Sequence, residues 1–164
     1  MVAGLNAIRR QLHYPIDFET RLETINKVAN LKPEISDFTE NVLFWRAVLI
    51  NALFMYQNID DLSMQTASSR LILMIVKCIP INTDAYKQLI SGVIMTQVRK
   101  MLKHRNEKFR FEFVRLLQDI VGQFPDDSDF GPLKALQDEN LELDFFVNIT
   151  HLQHHRRQRA FKLG

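Results

Sequence analysis

Apolar residues recur at intervals of three and four along almost every long segment of this chain, the spacing of one face of an α-helix. The pattern predicts a short helix over 2–12, broken at Tyr14–Pro15. A second helix over 18–31 follows, capped by Asp17, with Phe18, Leu22, Ile25, Val28 and Ala29 on one side and Lys32–Pro33 at its end. Asp37 or Thr39 opens a long helix to about Tyr56, and Asn58–Asp61 reads as a turn. Ser63 starts the next helix and Pro80 stops it. Thr83 caps another, striped by Tyr86, Leu89, Ile90, Val93, Ile94 and Met101. After a turn at Lys103–Asn106, Phe109, Phe113, Leu116, Leu117, Ile120 and Phe124 mark one more helix, which Pro125 closes. Residues 126–144 read as an acidic, irregular loop with one turn of helix around 133–138, and a last helix spans 145–162.

The Ile- and Val-rich run Leu71–Ile81 also fits a buried strand, because periodicity does not separate the two over so short a span. No other segment offers it a partner strand, and unpaired backbone groups are costly, so helix is preferred. The second helices of successive pairs begin near 17, 63 and 106. Pairs repeating every 40–47 residues or so are the HEAT and armadillo pattern. The expected fold is therefore all-α: stacked antiparallel helix pairs, approximately 2–31, 39–79 and 83–124, in a single helical-repeat segment over 1–164. An irregular helical bundle is the alternative. Trp45, Leu49, Leu53, Ile72, Ile75, Val93, Phe113 and Leu117 are the expected core.

Composition agrees with helices. Gly and Pro number only 5 each among 164 residues, few for a turn-rich β protein, and apolar residues are 46%. The longest apolar stretch, Val42–Tyr56, contains Arg46 and Asn51 and falls short of the roughly 20 residues of a membrane span. It reads as a core helix, and no membrane partner is expected. In MVAGLNAIRR the arginines follow the apolar residues, the reverse of a secretory signal. The single cysteine, Cys78, lies in an apolar run and reads as a buried structural thiol.

The formal net charge of +2 predicts no partner, but its distribution is uneven. Residues 99–115 carry seven Lys/Arg against two acids, 116–144 one Lys against eight acids, and 145–164 four Lys/Arg and no acid. The blocks either neutralise one another across the fold or leave a basic surface for a partner.

Catalytic signatures are missing. The glycines are isolated, and neither H-E-x-x-H, C-x-x-C nor G-x-S-x-G occurs. Asp126, Asp127 and Asp129 imitate the start of a calcium loop, but no glutamate follows at the twelfth position and Pro132 intervenes, so a solvated acidic loop is expected. His151 and His155 stand i,i+4 and could share a metal, but no further ligand is placed to complete a site. No metal, cofactor or small-molecule substrate is expected, and the chain reads as a non-enzyme.

The last helix is the most informative segment. With Ile149 at the centre of its buried side, Phe145, Leu152, Gln153, Arg156, Ala160 and Leu163 share that side, while His151, His155, Arg159 and Lys162 face away. Arg156 sits inside the apolar stripe and needs an acid or helix-end carbonyls as partner.

The stretch DFFVNITHLQHHRRQRAFKLG, Asp144 to Gly164, resembles a motif of the down-regulated-in-metastasis family, Asp-Phe-Phe followed by His-x-Gln-x-His-Arg-Arg-x-Arg-Ala. Those positions are Asp144, Phe145, Phe146, His151, Gln153, His155, Arg156, Arg157, Arg159 and Ala160. His154 and Phe161 depart from it, where the family pattern has an aliphatic residue and leucine. The segment NEKFRFEFVRLLQDIVGQFPD is similar to the second helix of a HEAT unit in that family, so the specific likeness covers roughly 105–164. Members are very large HEAT-repeat proteins of the small-subunit processome. The resemblance implies a piece of a nucleolar or nuclear scaffold in pre-ribosomal RNA processing and 40S assembly. Its implied partners are processome proteins, pre-ribosomal or small nucleolar RNA, and neighbouring repeats of the parent chain. Two other readings are a direct electrostatic RNA-binding module and a HEAT adaptor of an unrelated transport complex. The candidate partner- or RNA-facing residues are Lys100, Lys103, Arg105, His151, His155, Arg157, Arg159 and Lys162, with Arg156 as a structural buried charge. RNA binding is expected to be electrostatic only, because the aromatics look committed to core stripes.

Overall fold

The computed structural model describes residues 18–31, 33–57 and 61–163. The helix expected over 2–12 and the Asp17 cap lie outside them. All the regular structure among the described residues is helical, and Leu71–Cys78 is helix rather than strand. No described helix is long and apolar enough to cross a membrane. The chain divides into two compact units, Met1–Val93 and Ile94–Gly164.

In the first unit, α1 (Phe18–Ala29) and α3 (Val42–Tyr56) both pack on α4 (Leu62–Cys78). The expected long helix from 37 or 39 is split. A separate α2 (Ile35–Glu40) starts at a reciprocal cap between Glu34 and Asp37, and Asn41, at φ −122° and ψ 34°, interrupts the helical path before α3. Asp61 caps α4 by accepting from the Met64 N–H at 2.8 Å, so the helix begins one residue before the expected Ser63. Trp45, Leu49, Leu53, Ile72 and Ile75 are buried as expected, and Phe38 stacks on Trp45 at 4.7 Å. The α3 helix is apolar on all sides, and it is not a fully buried core helix: Leu43 and Phe54 are exposed. Cys78 is half-buried rather than buried, and desolvation pushes its thiol pKa up, away from thiolate chemistry.

Thr83 caps α5 (Asp84–Tyr86) through its hydroxyl, which accepts from the Tyr86 N–H at 3.1 Å. From there the sequence predicts an uninterrupted α-helix. The structure instead has a π-helical stretch, Lys87–Ile94, before α6 (Met95–Leu102). Gly92 fits that stretch, since a Cβ there would stand 3.2 Å from the Lys87 carbonyl oxygen. A wider turn shifts the phase of the apolar stripe, which accounts for Val93 being half-buried rather than buried.

In the second unit, α6 packs on α7 (Glu107–Gln123). Helices α8 (Gly131–Lys134) and α9 (Phe145–Ile149) also contact α7, and α9 packs against α10 (His154–Leu163). Phe113, Leu116, Ile120, Phe130, Phe146 and Ala160 are buried, while the expected core residue Leu117 is only half-buried. The acidic segment is folded rather than merely solvated. Buried Asp127 accepts from the N–H groups of Asp129 and Phe130, closing a local turn. Asp144, 2% exposed, caps α9 by accepting from the Val147 N–H at 2.8 Å and also accepts from the Asp138 N–H.

The single helix expected over 145–162 is two helices with a break at 150–153. The Thr150 hydroxyl donates back to the Phe146 carbonyl at 2.9 Å, and the carbonyls of His151 and Leu152 are taken by the Arg157 side chain. The break rotates Leu152 out of the apolar stripe, where it is 90% exposed, and Gln153 with it.

Candidate interaction surface

Two turns of the second unit are built alike. In the turn between α6 and α7, the His104 N–H donates to the Met101 carbonyl at 2.9 Å. Its Nδ1 accepts from the Asn106 N–H at 3.1 Å. Arg110, one turn into α7, donates from Nη1 to the carbonyls of His104 and Arg105 at 2.7 and 2.9 Å. In the turn between α9 and α10, the His151 N–H donates to the Asn148 carbonyl at 3.2 Å, and Nδ1 accepts from the Gln153 N–H at 3.0 Å. Arg157 donates from Nη1 to the carbonyls of His151 and Leu152 at 2.8 and 2.9 Å. Every donor and acceptor in the second turn lies 47 residues after its counterpart in the first. The arginine closes off carbonyls that a chain leaving one helix strands, and the imidazole satisfies an N–H at the start of the next. Buried Phe113 and buried Ala160 also correspond at this offset.

The acceptor role requires His151 Nδ1 to be unprotonated. Desolvation and the neighbouring Arg156 guanidinium, with His155 and Arg157 adding to them, hold the His151 pKa below its ordinary 6.5 against the opposing pull of Glu142.

Arg156 is the anchor of the C-terminal helix. Its side chain is 17% exposed and forms an ion pair with Glu142 at 3.0 Å. Its Nε donates to Asn148 Oδ1 at 3.0 Å and its Nη2 to the Leu141 carbonyl at 3.3 Å. Asn148, itself buried, donates to the carbonyls of Leu141, Glu142 and Asp144. The acidic loop thus supplies the carboxylate that the apolar stripe demands. Arg159, expected to stand free on the outer face, also pairs with Glu142. Of the residues expected to face outward on this helix, His151, Arg157 and Arg159 are engaged within the chain, whereas His155 and Lys162 are exposed.

The other basic stretch behaves differently. Lys100, Lys103 and Arg105 are exposed at the corner where α6 gives way to α7. Arg99 and Lys108, which sequence reasoning did not single out although they lie in the same basic block, are exposed beside them. Among the described residues none of these five side chains makes an ion pair. Nor, among the described residues, do three or more His, Cys, Asp or Glu side chains gather in a way that could hold a metal ion.

Next to this corner lies an open groove of about 360 Å³. Its lining falls into pairs at the same 47-residue offset: Leu102 with Ile149, Glu107 with His154, Arg110 with Arg157, Phe111 with Gln158, and Val114 with Phe161. The same face of α7 and of α10 therefore contributes to one surface. Phe161 is 76% exposed on it, so at least one aromatic is not committed to the core, contrary to the sequence expectation.

Known proteins resemble the chain along its length. The protein family described as "U3 small nucleolar RNA-associated protein 20, N-terminal" matches residues 1–106. A Schizosaccharomyces pombe protein named U3 small nucleolar RNA-associated protein 20 is 32% identical over 169 residues, covering 98% of this chain and 6% of its own length. The Saccharomyces cerevisiae protein of the same name is 29% identical over 170 residues, covering 99% of this chain and 7% of its own. The chain thus spans well under a tenth of these relatives. The family match falls on the upstream region, where the sequence offered only general helical-repeat character, and ends where the motif-based likeness begins.

Proposed function

Because the chain belongs to the U3 small nucleolar RNA-associated protein 20 N-terminal family, we propose that it is a non-catalytic scaffold segment of the small-subunit processome. It serves pre-ribosomal RNA processing and 40S subunit assembly in the nucleolus. The family match carries this reading. The likeness of Asp144–Gly164 to the down-regulated-in-metastasis family supports it, and we take both likenesses as pointing to one family. The partners are then processome proteins, neighbouring repeats of a longer parent and the RNA of the particle. The reading as an adaptor of a transport complex loses its ground, because it shares the helices and not the family.

We also propose that the helices form a HEAT-like array. Helices α1, α4, α7 and α10 begin at Phe18, Leu62, Glu107 and His154, intervals of 44, 45 and 47 residues. The duplicated His–Arg turns support a structural repeat in a second, independent way.

The test is to replace Arg110 and Arg157 together by alanine in the full-length protein. The measurements are co-purification of U3 small nucleolar RNA and the pattern of pre-ribosomal RNA intermediates. Loss of association or accumulation of unprocessed precursor is expected. Normal processing from a protein that lacks this whole segment would sink the reading.

A further inference from the structure

We propose that the groove between α7 and α10, together with the cationic corner beside it, is a binding site for single-stranded RNA. One unstacked base lies against Phe161, and the flanking phosphates meet Lys103, Arg105 and Lys108. This deepens the scaffold reading by giving the segment an RNA contact of its own, and it rests on that reading for its biological setting.

Four features support the site. First, Phe161 is 76% exposed, and its counterpart 47 residues earlier is Val114, so the aromatic is not a requirement of the fold at that position. An exposed ring on a basic surface is the element that stacks bases in sequence-tolerant single-strand binding. Second, the groove, at about 360 Å³, has the size of small-ligand sites in general. Its apolar lining residues, Phe111, Val114 and Ile149 among them, suit a flat ring better than a phosphate. Third, Glu107, the one acid in the groove, can accept from an exocyclic amino group of a base, while the groove's guanidiniums, Arg110 and Arg157, are already bonded to turn carbonyls. The base and not the backbone is therefore the part that enters. Fourth, Lys103 and Lys108 adjoin the groove residues Leu102 and Glu107 in the chain. They and Arg105 are exposed cations whose side chains make no ion pair among the described residues. Charge of that kind is what releases counterions from a nucleic-acid backbone.

Duplex RNA fits this face poorly, since its bases are stacked and paired and the groove would go unused. An acidic peptide is the competing occupant, attracted by the same cations and the same apolar lining.

The experiment is fluorescence anisotropy of the whole chain with labelled oligocytidylate, against duplex RNA of equal length and an oligoglutamate peptide, at two salt concentrations. Single-stranded RNA is expected to bind best. Phe161→Ala should weaken it about tenfold, and Phe161→Trp should retain binding and be quenched on RNA addition. Each of Lys103→Ala and Lys108→Ala should lower the salt dependence by about one ion. All three side chains are exposed, so circular dichroism and melting should match the parent chain. Equal binding of duplex, indifference to Phe161→Ala, or preference for oligoglutamate would each overturn the site. None of these bears on whether the full-length protein co-purifies with U3 small nucleolar RNA, so the two readings fail separately.

Discussion

The two basic stretches of this chain each commit an arginine to a turn, Arg110 and Arg157, but their remaining cations largely differ in fate. At the α6–α7 corner, Arg99, Lys100, Lys103, Arg105 and Lys108 are exposed, without ion pairs among the described residues. On α10, Arg156 and Arg159 share Glu142, and Arg157 is bonded to two backbone carbonyls. The difference comes from what lies before each helix. The α10 helix follows an acidic loop that folds back on Asp144 and Asn148 and presents Glu142 to it, whereas Glu107 is the one acid within 99–108. Counting charges along a sequence identifies cations but not which of them are already spent on the fold.

The contrast is sharpest at Arg156. Removing it strands the Asn148 carboxamide oxygen, takes one of two donors from the Leu141 carbonyl and leaves Glu142 to Arg159. A fully buried ion pair broken in this way costs about 3–5 kcal/mol. Glu142 is 57% exposed and can return to water, so Arg156→Ala should cost about 2 kcal/mol. Urea melts of the variant and the parent measure it. A loss no larger than that of Lys103→Ala would erase the distinction between the two stretches.

The His–Arg turns offer a comparison within the comparison. Arg110 and Arg157 make the same two hydrogen bonds 47 residues apart, so Arg110→Ala and Arg157→Ala should each cost about 1–2 kcal/mol and be matched to within a few tenths. A large cost at one and none at the other would mean that the turns only look alike. Smaller still is the contribution of Arg159. Its side chain is 43% exposed, and its pair with Glu142 should be worth no more than about 1 kcal/mol at low ionic strength and less in salt. Lys103→Ala should change stability by no more than about 0.5 kcal/mol. Melts at two salt concentrations separate Arg159, whose effect fades with salt, from Lys103, which has little to lose.

Much of the fold was legible because it follows from apolar spacing. Trp45, Leu49, Ile72 and Phe113 fall where a 3.6-residue period puts them. The errors occur where local chemistry overrides period. Asn41 splits one expected helix, and the π-helical stretch around Gly92 shifts the phase that placed Val93 in the core. Extending one helical projection through 150–153 put Leu152 inside when it is outside. The need of Arg156 for a partner was readable from its place in the stripe, and the acidic block before it was the right place to look. The engagement of Arg157 and Arg159 was not readable, because it depends on carbonyls and a carboxylate that only the folded turn brings near. The exposure of Phe161 was missed for a simpler reason. The general expectation that the aromatics serve the core overlooks that its position does not fall on the side shared by Phe145, Ile149 and Ala160.

The subtlest way to test the second turn is through the proton on His151. Its Nδ1 accepts the Gln153 N–H, desolvation penalises the imidazolium, and Arg156 repels it. The folded chain therefore binds this proton less readily than the unfolded chain, whose imidazole titrates near the ordinary 6.5. Between the two pKa values the unfolded state holds more protons, so stability rises with pH there. The contribution of His151 is complete above the ordinary value and is lost as pH falls from it through the lower folded value. Imidazole signals followed by NMR against pH should place His151 below 6.5. In Arg156→Ala the same signal should move back up, because one of the charges that depress it is gone. A His151 that titrates at or above the ordinary value, or that ignores the loss of Arg156, would mean that the imidazole is not held against α10 as an acceptor. The 47-residue correspondence of the two turns would then rest on backbone geometry alone.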